Sequence, residues 1–177
     1  MGLSRSLRSL VSAVKRLFSS VLGGPSGPTP TGSRTGADSQ AKLLMCPNTK
    51  EVRVEGTIGP EGGTLALGEH SLEIPVGAVS VPIRFVGILP VDELLKATFQ
   101  ANGAEAYTFQ IPVTLTLSFS RCEKERQALG PKALRVYKID PRTNAIEKDL
   151  GGTEKDKEKV VVATLEGFST YTLGSPI

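Results

Sequence analysis

The sequence predicts an all-β protein: an antiparallel β-sandwich of about eight to ten short strands, preceded by an amphipathic N-terminal helix and a disordered linker. Two observations support this prediction. From about residue 44 onward, apolar and polar residues alternate with the period of two that a half-buried strand requires. Turn-forming residues, drawn from the 19 glycines and 12 prolines of the chain, recur there roughly every eight to twelve positions.

The strands can be assigned in order along this region. The clearest covers residues 113–120, where Val, Leu and Phe alternate with Thr and Ser, whereas residues 83–89 are apolar on both faces, as in a central strand. Further segments with the strand pattern are 51–54, 64–67, 71–74, 97–100, 106–109, 133–139, 145–148, 159–165 and 170–173. One helical turn is expected at 91–96, where Asp92 can cap it.

A run of alternating charges, Glu-Lys-Asp-Lys-Glu-Lys, occupies residues 154–159. Its charges cancel, so we interpret it as the solvated tip of a hairpin and not as a binding site. The run also keeps the β-prone segment Val160–Val162 from pairing at a sheet edge.

Residues 1–22 have the pattern of a basic amphipathic helix. Apolar residues recur at helical spacings of three and four, and the segment contains no acidic residue. Its cations are Arg5, Arg8, Lys15 and Arg16. Lys15 and Arg16 interrupt the apolar run, which excludes a standard secretory signal and a membrane-spanning helix.

Three interpretations of this helix stay open. It can lie in a membrane interface with its cations on anionic headgroups, it can serve as an organelle presequence or atypical export signal, or it can dock on its own domain or a second copy. Residues 23–43, rich in Gly, Pro, Ser and Thr, are predicted to form a flexible linker. The β body then covers residues 44–177.

The charge of the chain is divided unevenly between these parts. Residues 1–37 hold five basic and no acidic residues, which leaves sixteen basic and eighteen acidic residues in the remainder. The slightly acidic body gives no electrostatic reason to expect nucleic acid as a partner. An anionic membrane surface is a candidate partner only for residues 1–22.

Candidate catalytic chemistry is sparse. His70 is the only histidine, and it lies in a Gly-Glu-His-Ser segment that we expect to be an exposed turn. The sequence has no phosphate-binding loop and no ladder of oxygen ligands for calcium, so we expect no metal and no cofactor. Since aromatic residues make up only 5% of the chain, an aromatic-lined ligand groove is not expected.

The two cysteines, Cys46 and Cys122, permit two interpretations. They can form a single disulfide in an oxidising compartment, or they can be two unrelated thiols in a reducing one. Neither has a Cys-x-x-Cys neighbour or a histidine cluster, which argues against zinc and thioredoxin-type chemistry.

Residues 56–90 resemble the opening of the ZU-five-type domain of ankyrins, zonula-occludens proteins and netrin receptors. The resemblance rests on Gly62-Gly63-Thr64-Leu65, a strand at 71–74, and Pro75-Val-Gly-Ala78 before the next strand. Gly62 and Gly63 allow a turn with positive φ, and the segment from Pro75 to Gly77 makes a tight reversal.

Later segments, at 112–122, 134–140 and 165–173, look similar to bacterial extracytoplasmic proteins built on this domain. In that group paired cysteines occupy positions like Cys46 and Cys122, so the resemblance implies a disulfide between them. It also implies a β-sandwich used for interaction or as a structural module, without a common enzymatic activity.

Some related domains cut themselves at a His-Phe-Ser tripeptide, where the serine hydroxyl attacks the preceding carbonyl. The corresponding residues look like Gly167, Phe168 and Ser169, so the histidine is missing. A serine hydroxyl without a base is a weak nucleophile, and we therefore predict no self-cleavage.

The sequence thus predicts a non-enzymatic structural or interaction module, extracytoplasmic or in the cell envelope and membrane-associated through its helix. The alternatives are an autoproteolytic domain that cleaves before Ser169, active or degenerate, and an intracellular scaffold domain that binds a protein. Paired cysteines require an oxidising compartment, yet residues 1–24 contain no convincing export signal.

Overall fold

The computed structural model describes residues 40–177. The predicted N-terminal helix, with Arg5, Arg8, Lys15 and Arg16, and all but the end of the predicted linker lie outside the described residues. Within the described part, strands dominate and are joined mainly by turns, so the all-β prediction is confirmed for this part of the chain. No helix among residues 40–177 is long and apolar enough to cross a bilayer.

The described residues form fourteen strands, one 3₁₀ turn and one short helix. The strands of the first half are β1 (Ala41–Leu43), β2 (Met45–Asn48), β3 (Val52–Ile58), β4 (Gly63–Leu67), β5 (His70–Ile74), β6 (Ile83–Leu89), β7 (Asp92–Leu94) and β8 (Ala97–Ala101). The second half contains β9 (Thr108–Ser118), the 3₁₀ turn (Ser120–Cys122), α1 (Glu123–Ala128), β10 (Arg135–Ile139), β11 (Ile146–Gly151), β12 (Thr153–Lys155), β13 (Val160–Gly167) and β14 (Thr170–Pro176).

These strands form two main sheets, and every strand pairing is antiparallel. The seven-stranded sheet has the order β11-β10-β14-β8-β6-β3, and β1 also pairs with β14. The five-stranded sheet has the order β12-β13-β9-β5-β4, while β2 and β7 form a separate two-stranded ribbon. The architecture is that of a β-sandwich with an added ribbon.

The core forms from the alternating faces that the sequence indicates. In β9 the buried side chains include Val113, Leu115 and Leu117, and the threonines between them are half-buried. Strand β6 is buried at most positions because it lies between β3 and β8. The buried apolar residues of both sheets join in one contiguous hydrophobic cluster.

Three local predictions are wrong. Residues 41–43, assigned to the linker, form β1, because they pair with the 174–176 end of β14. Residues 92–94, expected in a helical turn, form β7, because they pair with β2; the Asp92 carboxylate still accepts the N–H of Leu94, at 2.9 Å. The short elements β1, β2, β7 and β12 raise the strand number above the expected eight to ten.

The charged run is not uniformly solvated. Residues 156–159 turn at the surface, but the side chain of Glu154 is only 5% exposed, because it pairs with Arg126 of α1. Glu154 also accepts the backbone N–H of Leu134, at 2.7 Å. Val160–Val162 is protected from edge pairing by the neighbouring strands β12 and β9 on its two sides, and not by the charges.

Candidate binding site at the Gly167–Ser169 corner

The two predicted glycine turns are tight in the structure. Gly62 has a φ of 76°, and Gly63 is the first residue of β4. Gly77 has a φ of 79° and its N–H donates to the carbonyl of Pro60, at 2.8 Å. The carbonyl of Pro75 accepts the N–H of Ala78, at 3.1 Å, which closes the reversal before β6.

Cys46 and Cys122 lie at disulfide distance, with their Cα atoms 5.5 Å apart. Both are buried, at 1% and 4% exposure. The pair joins the β2–β7 ribbon to the 3₁₀ turn that follows β9. In residues 40–177 no group of three or more His, Cys, Asp and Glu side chains is arranged to hold a metal ion.

His70 is not an exposed turn residue; it begins β5 and is only 2% exposed. Its Nδ1 atom accepts the backbone N–H of Ser118, at 2.9 Å, and its Nε2 atom has no hydrogen-bond partner. Burial, with a smaller effect of the nearby Arg121, lowers the pKa of His70 to about 4. The imidazole is therefore a neutral structural acceptor between β5 and β9.

The tripeptide Gly167-Phe168-Ser169 forms the corner between β13 and β14. Gly167 lies so close to the neighbouring chain that a Cβ atom there would be 2.3 Å from the carbonyl oxygen of Tyr107. That same oxygen accepts the N–H of Phe168, at 2.8 Å. Any side chain at position 167, including histidine, must therefore displace backbone.

Phe168 is the centre of an aromatic cluster. Its ring makes edge contacts with Phe109 and Phe85, at centroid distances of 4.8 and 5.4 Å, and stacks on Phe99 at 5.7 Å. The Ser169 carbonyl accepts the N–H of Phe99, at 3.1 Å. The corner is thus fixed on both sides of Phe168 by hydrogen bonds and packing.

Next to this corner lies a groove of about 550 Å³, which we call the corner groove. Its lining includes the aromatic residues Tyr107, Phe168 and Tyr171 together with Leu150 and Pro112. The expectation that no aromatic-lined groove exists is therefore wrong. Amino-acid composition gives the number of aromatic residues but not where they lie in the fold. Six of them form one cluster: Phe85, Phe99, Tyr107, Phe109, Phe168 and Tyr171.

Tyr171 links two parts of the groove lining. Its hydroxyl donates a hydrogen bond to the carbonyl of Gly167. Burial raises the pKa of Tyr171 well above its usual value, so the phenol stays protonated and keeps donating at physiological pH. This contact spans β14 and the end of β13 and holds the groove in a preformed shape.

The walls of the groove are charged. Lys138 and Lys148 lie opposite each other on β10 and β11, and the Lys138 ammonium pairs with Glu147 at 2.8 Å. Asp149, also in the lining, pairs with Arg135 at 2.6 Å. Among the described residues, neither Lys148 on one wall nor Glu166 on the other forms an ion pair.

A second depression, of about 500 Å³, lies beside α1. Three of its four charged side chains are in ion pairs: Arg126 pairs with Glu154, and Lys159 pairs with Glu123 at 3.3 Å, while Asp156 forms none among the described residues. These pairs attach α1 to the β12–β13 hairpin. We therefore regard this depression as structural and the corner groove as the better candidate binding site.

Sequence reasoning selected Gly167, Phe168 and Ser169 for their likeness to a cleavage motif, and it missed the groove around them. Tyr107 and Glu166 are distant in sequence from each other and from Lys148 and Leu150 of β11, and only the fold brings these segments together. Searches against protein-family models and against curated proteins find no match to the chain. The ZU-five resemblance therefore depends on the quoted motifs alone.

Proposed function

We propose that the chain is a non-enzymatic interaction module that works in an extracytoplasmic compartment and binds a partner protein. The observation that supports this most directly is the corner groove. It is concave, about half of its lining residues are apolar or aromatic, and charged groups stand at its walls, which are features of a binding site.

The buried cysteine pair supports the proposed compartment. A disulfide persists in oxidising surroundings and is rare in the cytosol. Here it would connect residues 76 apart in sequence, a loop for which the chain-entropy model gives about 4 kcal/mol of stabilisation.

The corner supports the non-enzymatic part of the proposal. Gly167 supplies no base for Ser169, and the close Tyr107 carbonyl leaves no room for a histidine at that position. General-base assistance is typically worth about 10²–10⁴-fold in rate, which this corner forgoes. The proposal also includes association with an anionic membrane through the cations of the N-terminal segment, Arg5, Arg8, Lys15 and Arg16. These residues lie outside the described range.

Thiol counting on protein from its native host tests the compartment. Cells are quenched in acid, and the denatured chain is alkylated before and after reduction. We expect Cys46 and Cys122 to be alkylated only after reduction. Two reactive thiols before reduction would favour an intracellular scaffold instead. Sequencing the N-terminus of the same sample shows whether residues 1–22 are retained.

Site-specific photo-crosslinking in the host tests the interaction. A photoreactive amino acid replaces Thr108, an exposed residue of the groove lining, or as a control Ala66, an exposed residue of β4. We expect a discrete cross-linked product from position 108 and none from position 66. Absence of a cross-linked protein from position 108 would contradict the proposal.

A further inference from the structure

We infer that the corner groove binds an extended segment of a partner protein in which an acidic, an apolar and a basic residue alternate with other residues. This inference rests on the proposed function and specifies the chemistry of the ligand. It follows from the floor of the groove, from the two unpaired charges on its walls, and from the position of those charges on strands of two different sheets.

The floor is suited to one apolar side chain. Tyr107 and Leu150 are both half-buried and pack against the core, so each presents part of its apolar surface to the groove. Phe168 and Tyr171 lie beneath them and are held by the aromatic cluster and by the hydrogen bond to Gly167. A rigid apolar floor accepts an aromatic or aliphatic anchor without losing much conformational entropy.

The walls are suited to opposite charges. Lys148 on β11 and Glu166 on β13 lack ion-pair partners within residues 40–177, while Lys138 and Asp149 are neutralised by Glu147 and Arg135. The groove therefore offers one uncompensated cation and one uncompensated anion. A uniformly anionic surface or polymer complements only one wall, whereas a segment with an acid and a base complements both.

The spacing favours an extended segment. Strands β11 and β13 belong to the two different sheets and approach within 8 Å between Cα atoms, and the exposed side chains of Lys148 and Glu166 extend from them. In an extended chain, residues i, i+2 and i+4 point to the same side, and the outer two are separated by about 13 Å. The outer side chains can then reach the two walls while the middle one enters the groove.

Three capped peptides test this inference on the full-length protein: Asp-Ser-Phe-Ser-Lys, Asp-Ser-Phe-Ser-Asp and Lys-Ser-Phe-Ser-Lys. Each carries the same fluorescent label, and binding is followed by anisotropy. We expect the native chain to bind the mixed peptide about threefold to fivefold more tightly than either of the others, as exposed ion pairs allow. Replacing the phenylalanine by serine should abolish binding of the mixed peptide.

Charge reversal on each wall gives distinct expectations. Lys148→Glu makes both walls acidic and should shift the preference to the Lys-Ser-Phe-Ser-Lys peptide. Glu166→Lys makes both walls basic and should shift it to the Asp-Ser-Phe-Ser-Asp peptide, and the double variant should prefer the mixed peptide again. Lys124→Glu and Glu73→Lys, at exposed positions outside the groove, are matched controls that should leave the native order unchanged.

Each variant is expected to gain affinity for one peptide, so a folding defect cannot imitate the result. Equal affinity for all three peptides, or an order that the reversals do not change, would overturn the inference. So would a concentration-dependent dimer that dissociates when the mixed peptide is added, because a second copy would then occupy the groove. Such failures would leave the proposed function standing if position 108 still cross-links a partner protein in the host, because only the chemistry of the bound segment would then be wrong.

Discussion

Single residues in this domain owe their roles to contacts that the sequence does not display. His70 is a polar residue in an apparent turn, yet it is buried because β5 begins with it and β9 supplies a backbone donor to its ring. Gly167 is one of many glycines, yet its backbone lies so close to the carbonyl of Tyr107, just before β9, that no Cβ atom fits between them. Each of these contacts gives a quantitative expectation.

His70 should make the domain sensitive to mild acid. The folded pKa is about 4 and the ordinary value is 6.5, so below 6.5 the unfolded chain binds a proton that the folded chain does not. The free energy of unfolding should therefore fall by about 3 kcal/mol as the pH drops from above 6.5 to about 4. Denaturant titrations at several pH values measure this.

The variant His70→Asn is the control for acid sensitivity. Its amide oxygen can still accept a hydrogen bond, but the side chain does not titrate. The fall in the free energy of unfolding that is assigned to the histidine should therefore disappear, and only the contribution of the carboxylates should stay. Equal pH dependence in both proteins would contradict the role given to His70.

Gly167→Ala should destabilise the domain through overpacking. The new Cβ would be placed 2.3 Å from the Tyr107 oxygen, which is backbone and cannot rotate away. We expect a loss of about 2–3 kcal/mol in the free energy of unfolding. Gly63→Ala is the matched control, because its Cβ would meet its nearest atom at 3.4 Å, and we expect it to cost less than about 1 kcal/mol. A similar cost at both positions would contradict this explanation.

At the scale of elements, the more buried of the two ion pairs that attach α1 joins Arg126 to Glu154. The Arg126 guanidinium makes two hydrogen bonds to Glu154 of β12, and the Arg126 side chain is 14% exposed. Burial alone would raise the pKa of Glu154, but the hydrogen bonds from Arg126 and Leu134 hold it below its usual value. A helix of six residues is too short to be stable by itself.

Glu154→Ala should therefore be costly. It leaves the largely enclosed Arg126 charge without its carboxylate, and we expect a loss of about 3 kcal/mol in the free energy of unfolding. Glu158→Ala, in the same charged run but with a side chain 63% exposed, should cost less than about 0.5 kcal/mol. Urea unfolding of the two variants measures this difference. Equal losses in the free energy of unfolding would mean that the whole charged run is a solvated hairpin tip.

The elements that the sequence predicted well are those whose structure is set by local alternation. Strand β6 and the 113–118 part of β9 have apolar patterns that match their burial, although the structure joins the separately predicted segments 106–109 and 113–120 into one strand that ends at Ser118. Strand β7 and helix α1 were missed because both are short and polar, and their partners β2 and Glu154 are distant in sequence. The corner groove was missed for the same reason, since its walls come from β11 and β13.

At the scale of the whole molecule, Cys46 and Cys122 attach an early ribbon to the middle of the chain. If they form the proposed disulfide, the double variant Cys46→Ala, Cys122→Ala should lower the free energy of unfolding by about 4 kcal/mol. The peptide preferences of the groove should be unchanged, because neither cysteine lines it. Oxidised and reduced native protein provide the control, and equal stability of those two forms would argue against a disulfide.

The strand pairing of β14 determines which measurement can detect self-cleavage before Ser169. This strand pairs with β10, β8 and β1, so a peptide released by a cut before Ser169 would stay bound within the seven-stranded sheet. Native chromatography cannot detect such a cut, whereas a denaturing intact-mass measurement can. We expect the full-length mass for the native chain and for Ser169→Ala alike, since Gly167 offers no base. A native chain that lacks the Ser169–Ile177 peptide, beside an intact Ser169→Ala variant, would establish autoproteolysis and overturn the non-enzymatic proposal.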